Sequence, residues 1–162
     1  MIPLSNAFRQ VDWVGAYTAG AGHAVYTARS YPEEYWNRIA FVAEPTGHLL
    51  GAFILDPAGS TYDARYPRNL VTSDDQWFSP VAAEVGPDGQ LWIADWYNYV
   101  IQHNAESDRQ RPSPGNPYAD PLRDRQHGRI YRIVYEGAEA EPRISLADAD
   151  WRELVETLRN DN

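Results

Sequence analysis

The stretch from Trp77 to Tyr97 limits the fold more than any other part of the chain. Val81, Ala83 and Val85 alternate with Ala82 and Glu84, the period-two pattern of a strand with two distinguishable faces. Gly86-Pro87-Asp88-Gly89 follows, with proline presetting φ and glycine accepting a positive φ at the corner. Leu91-Trp92-Ile93-Ala94 is a short apolar run, fit for a strand covered on both faces, and it stops at Asp95. An antiparallel hairpin around a tight turn is predicted, with Trp92 in the core.

The rest of the chain agrees with a β fold. Twelve prolines and eleven glycines argue for many turns rather than long helices, and eleven tyrosines, six tryptophans and four phenylalanines favour strands. At 162 residues the chain can bury one real core. A net charge of −9 speaks against non-specific nucleic-acid binding, and no apolar run reaches membrane-spanning length. Met1 to Asn6 lacks a basic region followed by an apolar one, so no signal peptide is expected and the compartment is left open. The absence of cysteine excludes disulfides, Cys-ligated zinc, iron–sulfur clusters and c-type haem attachment.

Residues 1–20 read as an irregular lead-in or as a strand of a preceding unit. Strands are expected over His23 to Thr27, Arg38 to Ala43 and His48 to Leu55, then a poorer outer strand over Thr61 to Thr72, broken by Pro67. An internal repeat follows. Phe41-Val42-Ala43-Glu44 matches Trp92-Ile93-Ala94-Asp95 class for class at an offset of 51 residues, and Gly47-His48-Leu49-Leu50 falls on Asn98-Tyr99-Val100-Ile101. A period near 50 with about four strands per unit is the signature of propeller blades. The expected architecture is all-β: a partial propeller of about two four-stranded antiparallel blades, over 21–75 and 76–137. In the second, Tyr99 to His103 is the expected third strand, 104–126 a long proline-rich loop, and Gly128 to Tyr135 an outer fourth strand. After a linker, Asp150 and Glu153 form a capping-box pair before Trp151, Leu154, Val155 and Leu158 at helical spacing. So short a helix has to dock on something.

Trp77-Phe78-Ser79-Pro80-Val81, Gly86-Pro87-Asp88-Gly89, Ala94-Asp95-Trp96-Tyr97, Ile101-Gln102-His103-Asn104 and His127-Gly128-Arg129-Ile130-Tyr131-Arg132-Ile133 stand in one order. In this the chain resembles the last propeller blades of a bacterial membrane-bound dehydrogenase family. The N-terminal part of that family is similar to the glucose/sorbosone dehydrogenase propeller and is followed by HEAT-like repeats and a c-type haem domain. The resemblance covers residues 20–137, with the tail helix similar to the start of the helical repeats. It implies oxidation of a sugar or alcohol hydroxyl with a quinone-type cofactor, pyrroloquinoline quinone with calcium, in a periplasmic or cell-envelope setting. Many relatives carry arginine where Ser79 stands and an acid where Ala82 or Ala83 stands, and this chain has no Cys-x-x-Cys-His haem site.

In a blade, the loop entering the innermost strand and the loop joining the second and third strands lie around the central channel. That places His23, Glu44, Asp75, Trp77, Ser79, Asp95, Trp96 and Tyr97 on one rim. Oxygen ligands from Glu44, Asp75 and Asp95 suit calcium or another hard cation, and His23 at the start of an innermost strand is the candidate base. Trp77, Ser79, Trp96 and Tyr97 are the candidate cofactor-binding surface. The structural alternatives are equally concrete. An acid ending a second strand often caps the amides of the next turn, a histidine among glycines often holds backbone, and aromatics pack between blades. His48 reads as a packing position, and His103 and His127 as anchors of the long loop. Arg129 and Arg132 belong to a solvated strand edge. The partners expected are further propeller blades or other copies of the chain, with a small sugar or alcohol as substrate. A non-catalytic interaction module and a calcium-dependent lactonase-like hydrolase are the alternative readings.

Overall fold

The computed structural model describes residues 2–4, 16–99, 101, 124–138 and 145–159. They form an all-β fold of seven strands with one short helix: β1 (His23–Val25), β2 (Ile39–Glu44), β3 (Leu49–Ala58), β4 (Thr61–Thr72), β5 (Pro80–Val85), β6 (Leu91–Asp95), β7 (Arg129–Ile133) and α1 (Trp151–Thr157). Two antiparallel meanders result, one in the order β1-β2-β3-β4 and the other β5-β6-β7. They stack face against face, as adjacent blades of a propeller do. Phe41, Ala43, Leu50 and Ala52 of the first sheet meet Ala83, Leu91 and Ile93 of the second in one buried cluster.

The hairpin of β5 and β6 has the predicted turn. Val85 pairs with Leu91, the Gly86 amide donates to the Gln90 carbonyl at 2.8 Å, and Gly89 sits at φ 69°. Only glycine takes that angle at no steric cost. Pro67 does not break β4. The register shift between Ala52 and Ile54 leaves Tyr66 and Pro67 opposite Phe53, so the proline falls in a bulge and the ladder resumes at Arg68.

The second sheet departs from the predicted order. Arg129–Ile133 pairs directly with β6 and is the third strand, not an outer fourth. Tyr99 and Ile101 lie outside any strand, while Val100, Gln102 and His103 are outside the described residues. The reason is local. Tyr97 turns the chain at φ 53°, and the buried Asn98 side chain donates to the Asp124 carbonyl at 3.0 Å. The chain thus leaves β6 at one point and is held beside the segment that returns as β7. Trp92 is a second correction: it is 38% exposed, because β6 turns Leu91, Ile93 and Asp95 toward the first sheet and Trp92 and Ala94 away.

Two of the devices that join the sheets flank β1. Gly22 donates its amide to the Val81 carbonyl at 2.8 Å, and a Cβ there would lie 2.6 Å from the Ala82 Cα. The loop between β1 and β2 supplies the second. Tyr26 is fully buried and donates to the Gly89 carbonyl at 2.8 Å, while Tyr31 donates to the Ile133 carbonyl at 2.6 Å and accepts from the Leu91 amide at 3.3 Å. Tyr31→Phe removes both bonds of that hydroxyl and is expected to cost about 1–2 kcal/mol, read as a lower urea midpoint at unchanged slope.

Helix α1 carries the predicted capping box, Asp150 accepting from the Arg152 and Glu153 amides while Glu153 accepts from the Asp150 amide. Its apolar residues Trp151, Leu154, Val155 and Leu158 are exposed, so the expected docking is not seen among the described residues. No helix there is long and apolar enough to cross a membrane.

Candidate functional site

Glu44 and Asp95 end β2 and β6 at the same address in the two sheets, and both are buried. Asp95 Oδ1 accepts from the Ser79 amide at 2.7 Å and the Tyr97 amide at 2.8 Å. Glu44 Oε2 accepts from the Ala19 amide at 3.2 Å. Each acid thus holds the backbone that enters its sheet's first strand, and Asp95 also caps the turn after its own strand. Burial pushes both carboxyls above the usual carboxylate range, against the pull of neighbouring amides and, for Asp95, of Arg129. Among the described residues, one oxygen of each, Glu44 Oε1 and Asp95 Oδ2, is buried without a hydrogen-bond partner.

The predicted rim residues fall into separate places. Asp75 accepts from the Trp77 amide at 3.0 Å and lies 3.5 Å from the Arg129 guanidinium. Ser79 is fully buried, its hydroxyl donating to the Asn98 carbonyl at 2.7 Å. Trp77 packs on Tyr97 and on Tyr99 at ring separations of 5.8 Å. The Arg129 guanidinium lies 3.4 Å from the centre of the Tyr97 ring, within cation–π range. Trp96 is 40% exposed and bonds Ser79 only through backbone. Asp75, Trp77, Asp95, Tyr97 and Arg129 therefore form one neighbourhood at the open end of the second sheet.

Glu44 belongs to another neighbourhood, beside Ala19 and Thr46. His23 is exposed and pairs in register with Val42, so its side chain stands on the face of the first sheet that turns away from the second. Among the described residues, no group of three or more His, Asp or Glu side chains is placed to hold a metal ion. His48 is buried, sits at φ 55° and has Nδ1 2.6 Å from the Phe78 carbonyl, so it ties the first sheet to the entry of the second. His127 pairs with Asp124 at 2.5 Å beside the start of β7, while the long loop it is expected to anchor lies almost wholly outside the described residues.

Arg129 is the member of the Asp95 neighbourhood that sequence reasoning left on a solvated strand edge. Its register partner is Asp95, which puts an arginine and an acid on one face of adjacent strands. The signal lay in the alternation of Arg129 to Ile133, but it becomes readable only once that strand is known to lie beside β6.

Residues 1–137 match a family model described as Domain of unknown function (DUF7133). The chain belongs to this family. The match spans both sheets and ends before the segment that leads to α1. No curated protein and no solved structure matches the DUF7133 chain.

Proposed function

We propose that this DUF7133 chain is a non-catalytic propeller segment, an interaction module whose work is done by stacking its sheets on further sheets of the same kind. The observation that carries this reading is the use of Glu44 and Asp95. Two of the three acids a metal would need are buried and bonded to the amides that enter each sheet. Ser79 is closed in the same way by Asn98, and Trp77 packs against its own neighbours. These are roles in which a side chain makes the fold.

A second reading has its own support. Asp95 keeps a buried oxygen without a partner among the described residues, next to Asp75, Arg129 and the aromatic pair of Trp77 and Tyr97. That grouping suits a propeller similar to glucose/sorbosone dehydrogenase, in which such a rim meets a quinone and a sugar hydroxyl.

One experiment separates the two. The chain is incubated with pyrroloquinoline quinone and calcium, then assayed for dye reduction over several sugars, with thermal unfolding followed in parallel. The interaction module gives no dye reduction and no calcium-dependent rise in the unfolding midpoint. Dye reduction, together with a calcium-dependent rise lost in Asp75→Asn, favours the dehydrogenase reading and overturns the first.

A further inference from the structure

A cavity of about 210 Å³ lies where the loop between β1 and β2 meets the end of β7, at the opposite end of β6 from Asp95. Tyr31, Tyr35 and Tyr135 wall it, and Leu70, Ile133 and Val134 give it an aliphatic lining. The rings stand at steep angles to one another. Tyr31 and Tyr35 meet at 85° with centres 5.6 Å apart, and Tyr31 and Tyr135 at 65° and 6.4 Å. A flat ring set between such walls can stack on one and turn its edge to another, the two arrangements that aromatic quadrupoles favour.

The walls are fixed before anything enters. Tyr26 stacks on Tyr31 at 4.6 Å and 10°, and the Tyr31 hydroxyl is held between the Ile133 carbonyl and the Leu91 amide. The Tyr35 hydroxyl accepts from Arg68 at 2.6 Å, and the Tyr135 amide donates to Gln90 Oε1 at 3.2 Å. Binding there need not order the walls, a cost that otherwise subtracts from affinity.

Charge and size select the occupant. Glu34 is the charged residue of the lining, but Arg68 lies 3.7 Å from its carboxylate and 5.6 Å from the centre of the Tyr35 ring. The place a ligand cation would take over Tyr35 is already held by a guanidinium, which would repel it. With the hydroxyls of Tyr31 and Tyr35 engaged by the chain itself, the described lining presents chiefly ring and aliphatic carbon. An apolar cavity of about 150 Å³ is enough for benzene, and drug-sized ligands need roughly 300–1,000 Å³. Room for one ring with a small substituent lies between these limits.

We infer that this cavity binds a small neutral molecule built on a single aromatic ring, of the class of phenol and p-cresol. Glu34 offers an acceptor for a hydroxyl on that ring. The site goes beyond the interaction-module reading and does not depend on it.

The test is an NMR titration of the isotope-labelled full chain with phenol, p-cresol and, separately, tetramethylammonium chloride, each to about 20 mM. Cresol is expected to saturate with a Kd of about 0.1–1 mM, within reach of so few atoms. The shifts should centre on the amides of Leu70, Val134 and Tyr135. The thermal midpoint should rise with cresol, because a ligand held where the two sheets meet stabilises the folded chain. Val134→Trp, which fills the cavity with the chain's own indole, should weaken binding at least tenfold. Leu70→Phe repeats the filling from β4 should Val134→Trp fail to fold by circular dichroism. Absence of a saturable shift with phenol and cresol overturns the inference, as does a shift that the filling variants leave unchanged. Tetramethylammonium bound more tightly than cresol, and lost in Glu34→Gln, overturns it in favour of a cation cage. None of these outcomes involves dye reduction, quinone or calcium, so this site and the non-catalytic reading can fail separately.

Discussion

Gly22→Ala is expected to destabilise the chain by about 2–3 kcal/mol and to lower the thermal midpoint by roughly 5–10 °C. The added methyl would lie 2.6 Å from the Ala82 Cα and 2.7 Å from the Val81 carbonyl oxygen. Both are backbone atoms of β5, which cannot rotate aside as a side chain can. Relief requires the first and second sheets to part at the Gly22 to Val81 hydrogen bond. Gly20→Ala is the control, because the nearest atom to its Cβ is the Tyr17 ring at 4.0 Å, an ordinary contact. A Gly22→Ala midpoint equal to that of Gly20→Ala would show that the sheets are not held at this point.

Asp95 gives the second large effect. Asp95→Ala leaves the Ser79 and Tyr97 amides without their acceptor in a buried setting, at a cost of about 2–4 kcal/mol. Asp95→Asn retains an acceptor oxygen and is expected to lose far less at neutral pH. The pH dependence tests the cause. Burial raises the Asp95 carboxyl in the folded chain above its unfolded value. Its contribution to stability is therefore fully present below the unfolded value and is lost as pH rises through the raised one. The asparagine variant cannot titrate, so the urea midpoint of the wild type should fall relative to that of Asp95→Asn as pH rises above the unfolded value of about 4. A shift in the opposite direction would mean that Arg129 and the two amides outweigh desolvation and hold the carboxylate charged.

The hairpin of β5 and β6 was legible because two independent signals agreed. Period-two alternation from Val81 to Val85 met a turn sequence whose last glycine has to accept a positive φ. The capping box of α1 was legible for the same reason, a pair of polar residues at fixed spacing before an apolar period. The third strand of the second sheet was not. Tyr99 to Ile101 aligns with His48 to Leu50, but strand pairing there is decided by Asn98, whose bond to Asp124 spans 26 residues. The exposure of Trp92 was equally hidden. An apolar run of four shows no alternation, so it cannot say which residues face the neighbouring sheet until register fixes the parity. At the candidate site, the capping role of Asp95 was readable from its place at a strand end. Its neighbourhood with Arg129 was not, since the two lie on paired strands far apart in sequence.

The bulge at Pro67 has a consequence for how molecules of this kind misassemble. β4 is an outer strand, and an unguarded outer strand would offer a ladder of amides to any extended segment. Pro67 has no amide hydrogen to offer, and Asp63, Arg65 and Arg68 crowd charges along the same strand. Ribbon-like widening from that side is thereby closed off. Among the described residues the other sheet edges are β1, β5 and β7, and on the five residues of β7 Arg129 and Arg132 discourage a basic newcomer.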